Sequence, residues 1–362
     1  MKIAIIHDWI VSYGGGEKVV LALHNMFPEA PIYTSVYNKK KMEKYFEGID
    51  IRTSFIQKLP FGISKYRYYL PLMPLAFEQF DLSDYDLIIS SSSCCAKGVN
   101  VNANSTHICY CHTPMRYAWD MYNKYNQGNI IKKIIVAKQM NKLRQWDYIT
   151  SNRVDKFIAN SEYVKRRIEK HYRKEAVVIN PPIDNEFYIS NNNERNYKDS
   201  YYLLVSRMVS YKKIDIIIEA FNELKLPLII VGDGSEERKL KKIAKENITI
   251  IKNIPQKELK KLYDECKAYV FMAEEDFGMT MAEAQACGKP VIAYYKGGAS
   301  EIVENGVTGI LVKEQTKEDL KDSIVEMEKN YSKFQSKIIR EKAEKFKETN
   351  FIEKINKIIK EN

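Results

Sequence analysis

Glu275 and Glu283 bracket a loop that opens into a helix, in the run Glu274-Glu275-Asp276-Phe277-Gly278-Met279-Thr280-Met281-Ala282-Glu283-Ala284. A carboxylate is a two-pronged acceptor for neighbouring sugar hydroxyls. A strand–Gly–helix junction also aims free backbone N–H groups and the positive end of a helix dipole at an anion. Thr280 and Glu283 equally fit a capping box, and both readings stand open. A second pair of groups, Arg207 and Lys212, lies in Ser206-Arg207-Met208-Val209-Ser210-Tyr211-Lys212-Lys213, directly after an apolar run. Arg supplies a planar fork for phosphate oxygens and Lys a mobile point charge. Alone, the pair also reads as surface charge on a loop.

Three further loops hold candidate groups. Gly14-Gly15-Gly16-Glu17 follows the first apolar run. It is not a dinucleotide fingerprint, and no ribose-binding acid follows at the expected distance, which disfavours NAD. Gly15 and Gly16 would let a ligand approach the backbone, or would simply make a tight turn. Gly232 and Gly234, in Gly232-Asp233-Gly234, offer the same choice between a phosphate cradle and a turn. His112, in Cys111-His112-Thr113-Pro114-Met115-Arg116-Tyr117, could serve as an acid–base or sugar-contacting group, although a lone histidine is more often structural. His7 also follows a strand-like run, with less company.

Each of these loops needs a strand behind it. Short apolar runs at 2–6, 31–36, 86–90, 107–111 and 156–159 predict strands, and Val19, Val20, Leu23 and Phe27 recur at helical spacing. Asn180-Pro181-Pro182-Ile183-Asp184 reads as an extended joint. After a polar stretch at 191–199 the pattern restarts, with strands expected at 202–206, 228–231, 248–251, 268–271, 290–293 and 309–312. Helices are expected at 215–224, 236–245, 257–266 and 279–287. Alternating apolar strands and helices predict α/β architecture with parallel sheets covered on both faces. The expected division is residues 1–184 and 185–345, with a last helix within 346–362 returning to the first domain. Ligands bind at the carboxyl ends of such strands, so a cleft faced by both domains is the expected site.

Composition narrows the function classes. The chain has 362 residues, 45% hydrophobic and 29% charged, as soluble two-domain proteins do. It contains no apolar run long enough to span a bilayer, and the opening apolar run is too short for a signal peptide, which predicts a cytoplasmic protein. The six cysteines lack paired metal-ligand spacing and read as buried reduced thiols, with Cys109 and Cys111 on one strand face. The net charge of +10 is compatible with nucleic acid, an anionic membrane or anionic substrates. No nucleic-acid-binding motif accompanies it, and lysine-rich surface helices carry much of the excess.

Taken together, these loops resemble the retaining glycosyltransferases of family 4, which have the GT-B fold of two Rossmann-like domains. The resemblance covers nearly the whole chain. It rests on Glu275 and Glu283 as an E-x7-E motif, the Ala-rich Gly-x-Pro-Val stretch at 284–291, Arg207 with Lys212, and the Gly15-Gly16 pair. It implies that Arg207 and Lys212 hold a donor diphosphate and that Glu283 binds the nucleotide ribose. Glu275 would contact the transferred sugar, with Met279 and Thr280 offering groups to the distal phosphate, Phe277 and Gly278 in the same donor site, and His112 beside the reacting sugar. Ser206 and Asp276 stand where the family usually has glycine, a mild departure bearing on geometry. The resemblance further implies retention of configuration and no metal or other cofactor. Base recognition would fall near Asn253 and Ile254.

A narrower likeness comes from Gly15-Gly16-Glu17-Lys18-Val19, the stretches at 27–34 and 85–92, and His112-Thr113-Pro114-Met115-Arg116-Tyr117-Ala118-Trp119-Asp120. These resemble bacterial mannosyltransferases that build O-antigen, lipopolysaccharide and related surface polysaccharides. That implies GDP-mannose as donor and a lipid-linked saccharide as acceptor. The 58–75 segment, with Lys58, Lys65 and Arg67 among aromatic and apolar residues, is expected either to touch an anionic membrane on the inner face of the cell or to pack as an acceptor loop. The rival readings are a transferase using a UDP-sugar, a UDP-sugar epimerase of the same fold, and a non-catalytic binder of nucleotide sugars or nucleic acid.

Overall fold

A computed structural model describes residues 1–126, 128–189 and 200–361; the polar stretch predicted at 191–199 lies outside them. The chain divides into two compact units, Met1–Pro182 with Phe351–Asn362, and Ile183–Asn350.

In the first unit the strands are β1 (Ile3–His7), β2 (Ile32–Thr34), β3 (Ile51–Thr53), β4 (Leu87–Ser92), β5 (Thr106–Cys111), β6 (Lys156–Ala159) and β7 (Ala176–Val178). All pair in parallel, in the order β3-β2-β1-β4-β5-β6-β7. β1 registers Ile3 on Leu87 and His7 on Ser91. Strands buried on both faces read as unbroken apolar runs rather than alternations, which is why β1 and β4 are legible in sequence. The Gly15–Met26 helix puts Val19, Val20 and Leu23 on one side of the sheet. The last helix, Glu348–Lys360, adds Phe351, Ile355 and Ile358 to the same cluster. Ser161 caps the Glu162–Tyr172 helix by accepting from the Val164 N–H, which satisfies one orphan donor of its first turn.

The second unit holds β8 (Tyr202–Val205), β9 (Leu228–Val231), β10 (Ile248–Ile251), β11 (Tyr269–Phe271), β12 (Val291–Tyr294) and β13 (Gly309–Val312), ordered β10-β9-β8-β11-β12-β13. This is the 3-2-1-4-5-6 order of the Rossmann fold, and the first unit follows it with one strand more. In such sheets the chain leaves in opposite directions from the two central strands. The loops beyond their carboxyl ends therefore diverge and leave a crevice. In the second unit those strands are β8 and β11, and in the first β1 and β4.

All six cysteines are free and buried, with Cys109 and Cys111 in one apolar cluster against the Glu162–Tyr172 helix. The 58–75 segment forms no long helix. It runs through 3-10 turns at Phe55–Lys58 and Tyr66–Leu72 into a short helix, Met73–Glu78. Tyr66 and Met73 are buried there, while Lys58, Lys65 and Arg67 are exposed.

Candidate functional site

At the switch point of the second sheet, the loop after β8 carries Arg207 and Lys212, and the loop after β11 carries Glu275, Phe277 and Gly278. The two loops are tied directly: Lys212 Nζ and Glu275 Oε1 form an ion pair between largely buried side chains. The ammonium also lies 5.2 Å from the Phe271 ring centroid and 5.3 Å from that of Tyr211. Arg207 is exposed, and its Nη2 donates to the Tyr211 hydroxyl at 3.2 Å. One cation is thus held against the loop carboxylate while a second projects outward, an arrangement suited to a polyanion arriving at the strand ends.

Gly278, at φ +102°, is the N-cap of the Met279–Ala286 helix, and no side chain caps that end. The capping-box reading of Thr280 and Glu283 is therefore overturned, because Thr280 lies inside the helix. Its hydroxyl meets the Tyr269 hydroxyl at 2.7 Å, and that phenol also reaches the Val205 carbonyl at 3.0 Å. With its side chain so engaged, Thr280 offers an anion its backbone N–H, one of those a helix start leaves without an intrahelical partner. Glu283 is buried, and its Oε2 accepts from the Tyr263 hydroxyl at 3.1 Å. Burial, and then the neighbouring Glu283 charge, push the Tyr263 phenol well above its ordinary range, so it stays a donor.

Two neighbouring loops complete this edge. The predicted Gly232 and Gly234 pack against the β8 loop: a side chain at Gly232 would meet the Ser206 carbonyl oxygen at 2.0 Å. The Met208 N–H donates to the Asp233 carbonyl at 2.6 Å. Loop packing alone thus demands glycine at 232. After β12, Gly297 and Gly298 do the same for the Glu275 loop. The Gly298 N–H donates to the Glu275 carbonyl at 2.9 Å, and a side chain at Gly297 would strike that oxygen at 2.2 Å. The sequence reading missed this pair, although two glycines just past an apolar strand are the signal that marked the other loops. Asn253, at φ +55°, and Ile254 follow β10 on the same edge.

In the first unit the switch point gathers histidines. Ser91, near the end of β4, lies between two of them: its hydroxyl is 3.2 Å from His7 Nδ1 and 2.7 Å from His112 Nε2. His7 Nε2 is 3.9 Å from Glu17 Oε1. A side chain at Gly16 would come within 3.5 Å of His7 and 3.8 Å of His112, so the glycine turn borders both rings, with Gly15 exposed ahead of it. Burial opposes protonation of His7, but the Glu17 hydrogen bond and charge, with Asp8, outweigh it and raise its pKa. Burial and then the facing His7 charge push His112 down to about 3. The pair therefore holds one proton-binding and one neutral ring, and His112 is the neutral one. Asp8 fixes the turn after β4, accepting from the N–H groups of Ser93, Cys95 and Ala96 at 2.6, 2.8 and 2.8 Å. Asp8, Glu17 and Ser91 were given no role from sequence; the partners of Asp8 and Ser91 lie far away along the chain.

His107, on β5, is fully buried, with Nε2 2.8 Å from the Ser90 hydroxyl and Nδ1 3.1 Å from the Arg153 carbonyl. Burial lowers its pKa from 6.5 to about 4. Because the folded state binds this proton less well than the unfolded one, its contribution is complete above 6.5 and is lost as pH falls toward 4. On that basis we expect acidification over this window to cost on the order of 3 kcal/mol through His107 alone, with His112 adding a loss of the same sign. His7, shifted upward, works in the opposite sense: its contribution is complete below 6.5 and is lost as pH rises through its folded value. Melting curves between pH 7 and 4 should show the acid slope, flattened in His107→Gln whatever that variant's absolute stability.

Among the described residues, no group of three or more His, Cys, Asp or Glu could hold a metal ion. A depression of about 620 Å³ lined by Lys2, Pro28, Asp50 and Arg52 opens at the amino ends of β1 to β3, away from the loops described above.

Residues 13–187 match glycosyltransferase family 4, and residues 186–350 match the glycosyl transferases group 1. An uncharacterized glycosyltransferase of Methanocaldococcus jannaschii is 33% identical over 193 residues, 51% of this chain and 52% of that protein. A GDP-mannose-dependent α-(1-6)-phosphatidylinositol monomannoside mannosyltransferase of Mycolicibacterium smegmatis is 32% identical over 126 residues, 30% of this chain and 33% of that one. The chain spans about half or less of the length of these relatives. The crystal structure of Anabaena HepE in complex with UDP matches with a TM-score of 0.74 at 17% identity, covering 100% of both chains, and shares the fold. That fold is GT-B, with two Rossmann-like units each built on a parallel sheet. The chain belongs to the glycosyltransferases that join a family 4 domain to a group 1 domain.

Proposed function

We propose that the protein is a retaining glycosyltransferase that moves a hexosyl group, mannose from GDP-mannose, to a lipid-linked saccharide in surface-polysaccharide synthesis. The observation that carries this reading is the convergence of exposed Arg207, the Lys212–Glu275 ion pair and the Gly278-capped helix at the β8/β11 switch point. Arg207 and Lys212 bind the donor diphosphate, with the N–H groups of Met279 and Thr280 on the distal phosphate. Glu283, oriented by Tyr263, takes the ribose hydroxyls, and Glu275 takes hydroxyls of the transferred sugar. Neutral His112 contacts that sugar as a hydrogen-bonding group. Without a donor, Glu275 holds Lys212 in place, and the arriving diphosphate exchanges one anion for another around the same ammonium.

The bond from the anomeric carbon to the phosphate oxygen breaks, and the acceptor oxygen bonds that carbon from the same face. The acceptor proton passes to the departing phosphate. Charge accumulates on that phosphate, so cations preset around it lower the barrier directly. Glu275 positions the sugar and forms no covalent bond to it, and no metal takes part. The GDP-mannose-dependent relative supports the choice of donor, whereas the UDP complex of HepE supports a UDP-sugar as the second reading. The test is transfer from radiolabelled GDP-mannose and UDP-hexoses to lipid-linked saccharides, with a chelator present. Mannose transfer insensitive to the chelator is expected. Transfer from a UDP-sugar alone would replace the donor, and epimerisation without transfer would overturn the reading.

A further inference from the structure

The Ile130–Thr150 helix gives the core only one stripe, formed by Met140, Leu143, Asp147 and Thr150. Its first two turns carry Ile130, Ile131, Ile134 and Ile135, between 53% and 70% exposed. At about 100° per residue these four share one face, opposite the buried stripe. Tyr148 and Ile149 extend the face at the far end and are also exposed. Around it stand exposed Lys132, Lys133, Lys138 and Lys142, and no Asp or Glu occurs between Asp120 and Asp147. The fold makes no use of this density of open isoleucine, and contiguous exposed apolar surface marks a contact site.

A second patch lies on the segment packed against this helix. Phe61, Tyr68, Leu72 and Leu75 are exposed, with Lys65 and Arg67 among them. The buried side of that segment, Tyr66, Met73 and Phe77, shares one core cluster with Met140 and Leu143 of the helix. Trp146 Nε1 also donates to Glu78 Oε1 at 3.0 Å, joining the two elements directly.

We propose that this surface of the first unit docks on an anionic lipid bilayer, with the Ile130–Thr150 helix lying in the interfacial plane and the 61–75 segment as a second contact. Charge complementarity selects the partner. A second copy of the same face would bring lysine against lysine, whereas anionic headgroups neutralise the lysines while the isoleucines enter the acyl boundary. Among the described residues no helix is long and apolar enough to cross a membrane, which fits an element that lies on the surface. The inference goes beyond the donor reading and stands whichever nucleotide sugar is used. It also places the main contact on a helix that the sequence reading left unassigned, with Lys58, Lys65 and Arg67 in a supporting position.

The test is flotation of the full chain with vesicles of phosphatidylcholine containing roughly one third phosphatidylglycerol, and with phosphatidylcholine alone. Binding to the anionic vesicles is expected, weakened at least about tenfold in Ile131→Asn/Ile134→Asn and again in Lys132→Glu/Lys138→Glu. These side chains are exposed, so melting temperatures should stay unchanged and separate lost docking from lost folding. Absence of binding to anionic vesicles, or binding indifferent to the isoleucine pair, would overturn the proposal. So would a concentration-dependent dimer in sedimentation that the same isoleucine variant converts to monomer, since the occupant would then be another copy.

Discussion

Lys97→Met is expected to lower the stability of the first unit by about 3–5 kcal/mol. Lys97 is 1% exposed and Asp147 is fully buried, with Nζ and Oδ1 2.7 Å apart. The ammonium also donates to the Asp147 carbonyl at 2.9 Å and the Thr150 hydroxyl at 3.2 Å, so all three of its protons are used. Asp147 Oδ2 in turn accepts from Trp119 Nε1 at 2.7 Å and the Tyr172 hydroxyl at 2.9 Å. Removing the cation leaves a carboxylate without water and without a counter-ion, which costs more than the pair itself is worth. Adding Asp147→Asn to Lys97→Met should therefore recover part of the loss. All three tryptophans, Trp9, Trp119 and Trp146, lie in the first unit, so urea unfolding followed by tryptophan fluorescence reads its transition separately. A loss below ~1 kcal/mol would mean that water or another cation reaches the Asp147 carboxylate.

Arg207→Ala and Lys212→Ala should each reduce the turnover number by roughly 100- to 1,000-fold, the usual loss on removing one group aimed at developing transition-state charge. The two differ in their side effects. Arg207 is exposed and bonded only peripherally, so its loss should leave stability within about 0.5 kcal/mol of the parent. Lys212 also neutralises Glu275 in the free protein, and its removal leaves that carboxylate facing the donor phosphates. Lys212→Ala should therefore weaken donor binding as well as turnover, while Lys212→Ala/Glu275→Gln recovers binding but not turnover. Because both cations act on one leaving group, the double variant should fall short of the product of the single losses. Steady-state and single-turnover kinetics with the preferred donor separate these effects.

Much of this frame was legible in the sequence. β6, β9, β10 and β13 occupy the predicted residues, because three or four apolar residues in a run of four between turn signals have few other uses. β3 and β7 escaped notice: each is only three residues long and lies at a sheet edge, with Arg52 in one and half-exposed residues in the other. The loops holding Arg207, Lys212, Glu275 and Gly278 could be found because each directly follows a strand. What was not legible depends on distance along the chain. Ser91 meets His7 and Asp8 meets Cys95 only because β1 and β4 pair across 84 residues. Lys97 in the run Ser93-Cys94-Cys95-Ala96-Lys97-Gly98 carries no sign of its burial, which the Ile130–Thr150 helix imposes. The capping-box ambiguity at Thr280 was settled by Gly278 taking the N-cap position, which leaves the Thr280 hydroxyl to meet Tyr269.

Binding of a nucleotide diphosphate by the loops at the β8/β11 switch point can be measured by melting the purified protein with GDP, UDP, ADP, CMP and their sugar conjugates. A nucleotide at 100 times its dissociation constant stabilises the folded state by about 2.7 kcal/mol, enough for an upward shift of several degrees. Such a shift is expected for one diphosphate nucleotide and its sugar, GDP and GDP-mannose first, abolished in Arg207→Ala and Glu283→Ala. Equal melting temperatures with every nucleotide at millimolar concentration, or a shift unchanged in both variants, would contradict binding at these loops.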